Sequence, residues 1–316
     1  MERPLELWYE RLAAERPALP RRVLLTGASG FLGRLVLERL RSRGDEVVAV
    51  ARRLEAAAAA PGVIQVTADL AGSGWPAWAA GCTAAIHLAG LTALPPRAAA
   101  AFERAHRVAT ERVVAACLEL GIDRLVAVSA LGARRDAASA FHRSKWQAEE
   151  AVRGSRLAWT IVRPAVMFGP GDGFSTRLAQ ALRRPAPVLV PGDGTARLQP
   201  IAAAEVADAL VACLDRPAAI HQVVDLGGPE PLTVDELIAR SGRALGRRRP
   251  VFHFGAGTPR PLAALLELLP TTPLGRERLA ALGAGVTCDI GPARALLGLP
   301  QQRFEGPVWL VRRPGA

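Results

Sequence analysis

The chain has 316 residues, half of them hydrophobic, enough to bury a full core as one large α/β domain or as one domain with a smaller lobe. Its 40 Lys and Arg outweigh 29 Asp and Glu, giving a formal charge of +11. No run of five or six like charges occurs, and the densest basic cluster, Arg247, Arg248 and Arg249, has no aromatic stacking platform beside it, so no nucleic-acid partner is expected.

Residues 1–21 read as an N-terminal leader. Leu5, Trp8 and Leu12 fall at helical spacing, Pro17 and Pro20 end the element, and no apolar core of a signal peptide is present. Residues 22–165 alternate strand and helix. Strands are expected at Val23–Thr26, Glu46–Ala51, Val63–Thr67, Ala84–His87, Arg124–Ser129 and Leu157–Arg163. Helices are expected at Phe31–Arg43, about Arg97–Leu120 and Phe141–Arg153. Strands regularly separated by helices imply parallel βαβ units, hence an α/β fold with a doubly wound parallel sheet of the Rossmann type.

Residues 166–316 are expected as a mixed segment that returns to the sheet and forms a smaller substrate or cap lobe. It holds the glycine-rich loops Gly169–Gly173 and Gly192–Gly194, a helix at Ala203–Leu214 and a strand at Gln222–Leu226. A further helix, Thr233–Leu245, opens on a capping box of Thr233 and Glu236. The apolar segment Pro261–Pro270 suits a greasy pocket wall or a core or lid helix. No apolar run reaches the length of a membrane span. The cysteines (Cys82, Cys117, Cys213, Cys288) and five histidines lack metal-ligand spacing, so no metal is expected.

The loop from Gly27 to Gly33 joins the first strand to the first helix. Gly27 permits a tight turn, Gly30 lets backbone approach a pyrophosphate, and Gly33 lets the helix pack close to the strand. With Ser29, Phe31 and Leu32 it presents free N–H groups and the positive end of the helix dipole to phosphates. The strand–helix junction is the context such a pattern requires, and it points to a nicotinamide dinucleotide. The second strand ends Val50-Ala51-Arg52-Arg53, with no carboxylate for a ribose 2′-hydroxyl. Arg52 and Arg53 suit a 2′-phosphate, so NADP(H) is expected over NAD(H), which stays open. The small residues in His87-Leu88-Ala89-Gly90 let backbone line the adenine ribose.

Several stretches carry a resemblance: Val128–Ala133, Arg143-Ser144-Lys145 with Glu149-Glu150, Trp159–Asp172, Gln199-Pro200-Ile201 before Glu205, and Gly227–Glu230 before Leu232-Thr233. With the Gly-x-x-Gly-x-x-Gly loop they resemble the extended and atypical short-chain dehydrogenase/reductase superfamily. The resemblance extends to the Rossmann-like accessory subunit of respiratory complex I and to NmrA-like and NAD-dependent epimerase/dehydratase proteins. It covers roughly residues 22–240.

The resemblance implies that Asp69, with Leu70, holds the adenine amino group. It also implies that Pro164, Ala165 and Val166 border the nicotinamide and that the Gly169–Gly173 loop borders the substrate. Arg163 could reach cofactor or loop carbonyls, or serve as a structural strand-end arginine. The superfamily works with Ser, Tyr and Lys, the Tyr four residues before the Lys. Ser129 and Lys145 match. Phe141 stands where the tyrosine should be, and the chain's one tyrosine is Tyr9, in the leader. Lys145 is the only lysine among the basic residues, and arginine is no equivalent for a compact ammonium on ribose hydroxyls. His142 has the right kind of pKa to replace the tyrosine but points about 100° away around the helix. His106 falls at the Asn position of the family's relay.

Two functions follow from this reading. One is an oxidoreductase or epimerase-like enzyme working without the tyrosine on an unidentified small molecule. The other is a non-catalytic NADP(H)-binding accessory or assembly factor of a larger complex, such as a respiratory one. The expected location is cytoplasmic, with peripheral attachment to a membrane complex left open.

Overall fold

The computed structural model describes residues 20–53, 60–91, 99–254, 286–299 and 302–311. Residues 1–19 of the leader and the Pro261–Pro270 segment lie outside the described residues.

The strands run in chain order as β1 (Arg22–Thr26), β2 (Glu46–Ala51), β3 (Val63–Thr67), β4 (Ala84–His87), β5 (Arg124–Val128) and β6 (Ala158–Pro164). Four short ones follow: β7 (Met167–Phe168), β8 (Val188–Pro191), β9 (Arg197–Leu198) and β10 (Ile201–Ala202). Then come β11 (Gln222–Leu226), β12 (Leu232–Thr233) and β13 (Val251–Phe254). β1–β6 and β11 form one seven-stranded sheet in the order β11-β6-β5-β4-β1-β2-β3, every pair parallel. Strand order reverses between β1 and β4, and the crevice at such a switch point is where doubly wound sheets bind ligands.

Helices α1 (Phe31–Ser42) and α6 (Ala203–Asp215) cover one face, and α3 (Ala109–Leu120) and α4 (Ala140–Arg153) the other. Burial on both faces explains the continuous apolar runs in β1, β2 and β5, since a parallel strand has no solvent side. On the first face Val36 and Leu40 of α1 share a cluster with Val206 and Leu210 of α6. On the second, Val113 and Cys117 meet Trp75, Leu125 and Val152.

The expected return of Gln222–Leu226 occurs: β11 lies beside β6 in a register that sets Asp225 next to Arg163 and Leu226 next to Pro164. The capping box on α7 (Val234–Ala244) is present in both directions. Three features were not expected. The expected helical region is present from Ala99 to Leu120, but it passes through a π-helical turn (Arg104–Val108) between α2 (Ala99–Glu103) and α3. The helix α5 (Gly173–Arg183) starts on an Asp172 cap, whose carboxylate accepts from the Ser175 N–H at 2.5 Å. Strands β8 and β13 pair in parallel although they are far apart in sequence, and each is too short for its periodicity to declare it.

Candidate functional site

The glycine loop sits at the switch point. Gly27 adopts φ +75° and packs so closely on the end of β4 that a β-carbon there would stand 2.8 Å from the Ala89 nitrogen. At Gly33 a β-carbon would be 2.2 Å from the Gly27 carbonyl oxygen, which is how α1 approaches its strand. No side chain caps α1, so its first N–H groups stay available to an anion. Phe31 turns away from the cleft toward the Gly169–Gly171 loop: a β-carbon on Gly169 would lie 3.6 Å from its ring.

A cleft of about 810 Å³ opens beside this loop. Ten of the residues singled out in the sequence line it: Gly27, Ser29 and Gly30 from the loop, Arg52 and Arg53 from the end of β2, Asp69 and Leu70 after β3, and Leu88, Ala89 and Gly90 after β4. Its remaining wall includes Ala101, Ala105 and Ala109, which recur every four residues along the α2–α3 helical segment and keep the cleft wide. That alanine spacing is visible in the sequence and could have signalled the wall.

Arg104 also lines the cleft, and sequence reasoning missed it because the π-helical turn that aims it cannot be read from periodicity. Its guanidinium meets the Asp69 carboxylate at 2.6 Å, while the other Asp69 oxygen accepts from the Ala71 N–H at 3.0 Å. The Arg104 hydrogen bond, with that backbone bond, holds the Asp69 carboxyl below its usual range. An adenine amino group would therefore have to share this carboxylate with Arg104.

Lys145 lies deeper. Its ammonium is buried and donates to the Val128 carbonyl at 3.0 Å. Burial lowers its pKa to about 8, against an opposing pull from Glu149. Ser129 directly follows β5 with its N–H on the Val162 carbonyl at 2.8 Å, and its hydroxyl is buried with no partner among the described residues. A buried hydroxyl without a partner is uncommon and asks for a ligand. The segment Pro164–Val166 is pinned by backbone: Leu131 N–H on the Pro164 carbonyl at 3.0 Å, Ala165 N–H on the Leu226 carbonyl at 2.8 Å, and Ile201 N–H on the Val166 carbonyl at 3.0 Å.

Phe141 stands one turn before Lys145 in an aromatic group with Phe102, His106 and His142, ring centroids 5.1 to 5.9 Å apart. His106 is held on both sides. Leu91 N–H donates to its Nε2 at 3.0 Å, and its Nδ1 lies 2.8 Å from the Ser144 hydroxyl, which itself donates to the Phe141 carbonyl. The same Nε2 also lies 3.1 Å from the Leu91 carbonyl oxygen, so these contacts accommodate a proton on either ring nitrogen. Burial first and Lys145 second push His106 down to about 2; burial pushes His142 down to about 4. Both rings are neutral at physiological pH, and the His142 Nδ1 is occupied by Ser139 at 2.9 Å. His87 is a packed strand-end residue between Thr26 at 2.6 Å and Thr110 at 3.0 Å, and burial takes its pKa to about 3. Arg163 is clasped by Glu149 through bonds of 2.7 and 2.6 Å and is structural.

The residues present suit a dinucleotide: a glycine cradle that any β-carbon would fill, an uncapped helix N-terminus, and an orphaned hydroxyl beyond them. The family model for the NAD dependent epimerase/dehydratase family matches residues 23–227. The chain belongs to that family. Its fold is the extended short-chain dehydrogenase/reductase fold with an NAD(P)-binding Rossmann sheet.

Among sequence relatives, the chain is 31% identical over 224 residues to the mitochondrial NADH dehydrogenase [ubiquinone] 1 alpha subcomplex subunit 9 of Arabidopsis thaliana, covering 67% of this chain and 54% of that protein. It is 34% identical over 163 residues to the ceramide reductase of Caulobacter vibrioides, covering 48% and 47%. The chain thus spans about half the length of these curated relatives. Solved structures share the fold: MoeE5 in complex with UDP-glucose and NAD, with TM-score 0.72, 23% identity and coverage of 89% and 94%, and a UDP-glucuronic acid 4-epimerase from Bacillus cereus, with TM-score 0.72, 17% identity and coverage of 90% and 95%. Among the described residues no helix is long and apolar enough to cross a membrane.

Proposed function

We propose that this family member is an NADP(H)-binding oxidoreductase that works without the family's tyrosine. The observation that carries this reading is the Ser129 hydroxyl, buried and unpartnered at the carboxyl end of β5, in the position from which the family orients a substrate oxygen. When bound, the dinucleotide supplies or accepts the hydride. Ser129 donates its hydroxyl hydrogen to the substrate oxygen. Lys145 gives one hydrogen to Val128 and keeps two for ribose hydroxyls. Phe141 moves no proton, so an acceptor already activated toward hydride suits the site best. Residues 22–165 hold the cofactor in this reading, and residues 166–316 close the substrate side. Arg52 and Arg53 support NADP(H), since both line the cleft and no carboxylate ends β2.

A second reading keeps the cofactor and drops the turnover. Phe141 favours it, enclosed among rings where the proton donor should be. One relative, by its name, is a subunit of an NADH dehydrogenase, so membership of a larger complex belongs to this reading. Purified protein is expected to carry or bind NADPH more tightly than NADH; tighter NADH binding would overturn the cofactor assignment. Steady NADPH oxidation against carbonyl, enol and quinone panels, lost in Lys145→Ala, supports the enzyme. Tight NADPH binding with no turnover on any panel supports the second reading.

A further inference from the structure

Arg247, Arg248 and Arg249 stand out in the sequence and take no part in the dinucleotide cleft. The fold brings more arginines to them. Arg249 Nε donates to the Arg184 carbonyl at 2.7 Å, and Arg183, the last residue of α5, donates to the Leu310 carbonyl at 2.6 Å. A β-carbon on Gly306 would stand 2.8 Å from the Ala244 side chain at the end of α7. The segment 304–311 thus meets the carboxyl end of α5 at Leu310 and that of α7 at Gly306, and the Arg249–Arg184 bond brings Arg183 and Arg184 to the Arg247–Arg249 run, five arginines in all. Among the described residues none of the five is paired with a carboxylate.

The segments that carry or contact these arginines also expose apolar side chains. Val308 and Val311 flank the carbonyl that Arg183 holds and are 54% and 43% exposed, and Phe252, on the strand that begins two residues after Arg249, is 56% exposed. Helix dipoles account for the cations in the last turns of α5 and α7, Arg183 and Arg243. They do not account for three arginines on the loop that follows, nor for exposed valines on the segment that Arg183 holds.

We propose that this face docks on an anionic lipid bilayer. Headgroup phosphates form a fluid sheet of charge that accommodates irregularly spaced guanidinium groups, each attracted within a Debye length. The valines and Phe252 match the shallow apolar boundary beneath the headgroups. A single-stranded nucleic acid would instead call for successive stacking rings along a groove.

The test is co-sedimentation of the full chain with vesicles of equimolar phosphatidylglycerol and phosphatidylcholine, compared with vesicles of phosphatidylcholine alone. Binding to the anionic vesicles that weakens with added salt is expected. Arg247→Glu, Arg248→Glu and Arg249→Glu together should reduce partitioning on the order of a hundredfold. Arg41→Glu, Arg112→Glu and Arg135→Glu, exposed positions outside this face, change net charge equally and should reduce it far less. Val308→Ser with Val311→Ser should weaken the binding that survives high salt. No binding to anionic vesicles, equal binding to neutral ones, or equal loss in the two triple variants overturns the proposal. So does tighter capture by RNA or by polyglutamate in the same buffer.

Discussion

The ammonium of Lys145 stands 3.1 Å from the point that a β-carbon on Gly90 would occupy, and two ring atoms of His106 stand at the same 3.1 Å. Gly90 thus holds open the space between the cleft and its deepest cation. Gly90→Ala should push both side chains back by a few tenths of an ångström without disturbing the sheet. The expected result is roughly tenfold weaker dinucleotide binding with less than about 1 kcal/mol change in stability. Cofactor fluorescence titration and urea unfolding check the two halves; unchanged affinity would disconnect Gly90 from the site.

Lys145 itself separates binding from stability. Below its folded pKa of about 8 the lysine is charged in folded and unfolded chains alike, and the folded chain bears the cost of burying it. Between about 8 and the ordinary 10.5 the folded chain sheds the proton first, so this group's contribution to stability rises with pH. The buried thiols of Cys82, Cys117 and Cys213 act oppositely: burial raises them to about 11 or 12, while unfolded thiols ionise near 9.0. The clean window is therefore pH 8 to 9. Lys145→Met should be more stable than wild type by about 1–3 kcal/mol at neutral pH, with the gap narrowing across that window. Its dinucleotide affinity should fall at least about tenfold. A destabilised Lys145→Met would make the lysine structural.

Phe141→Tyr restores the hydroxyl one turn before Lys145. The ring is half-buried and already packs edge-on against His106 and His142, so stability should change by less than about 1 kcal/mol. If turnover is limited by proton transfer at this position, kcat on carbonyl substrates should rise by on the order of 10²-fold, with a new ionisation in its pH profile. Unchanged turnover would show that the native reaction asks nothing of this position.

The contrast between Gly27 and Arg104 shows what the sequence could declare. Gly27, Gly30 and Gly33 act through backbone at a strand–helix junction, and both elements announce themselves by period, so the loop and its place in a doubly wound parallel sheet were legible together. Arg52, Arg53, Asp69 and Gly90 reach the cleft because they follow strand ends, which is a topological rule. Arg104 reaches it through a π-helical turn, which has no period to read. The pairing of β8 with β13 and the gathering of five arginines at the ends of α5 and α7 depend on contacts between segments far apart in sequence, which a local pattern does not encode. The fate of His106 and His142 was equally hidden, since burial decides their charge and only packing reveals burial.

Glu149 gives the last prediction. It is 2% exposed and accepts both nitrogens of the Arg163 fork at 2.7 and 2.6 Å, with Arg153 at 2.6 Å from one helical turn away. Arg163 ends the run of β6 just before Pro164–Val166, so this clasp fixes the strand that carries the proposed nicotinamide wall. Glu149→Gln keeps the shape, removes the charge and turns an N–H₂ group toward a guanidinium that is itself largely enclosed. Neutralising Glu149 leaves Arg163 with only the longer contact to Asp225 at 3.9 Å, so a loss of about 3 kcal/mol is expected. The adjacent Glu150, about half exposed and paired with the same Arg153, provides the control. Glu150→Gln should cost less than about 0.5 kcal/mol, because solvent screens that pair. Urea unfolding of both variants decides the matter: equal losses would mean that the Glu149–Arg163 clasp holds no more than a surface pair does.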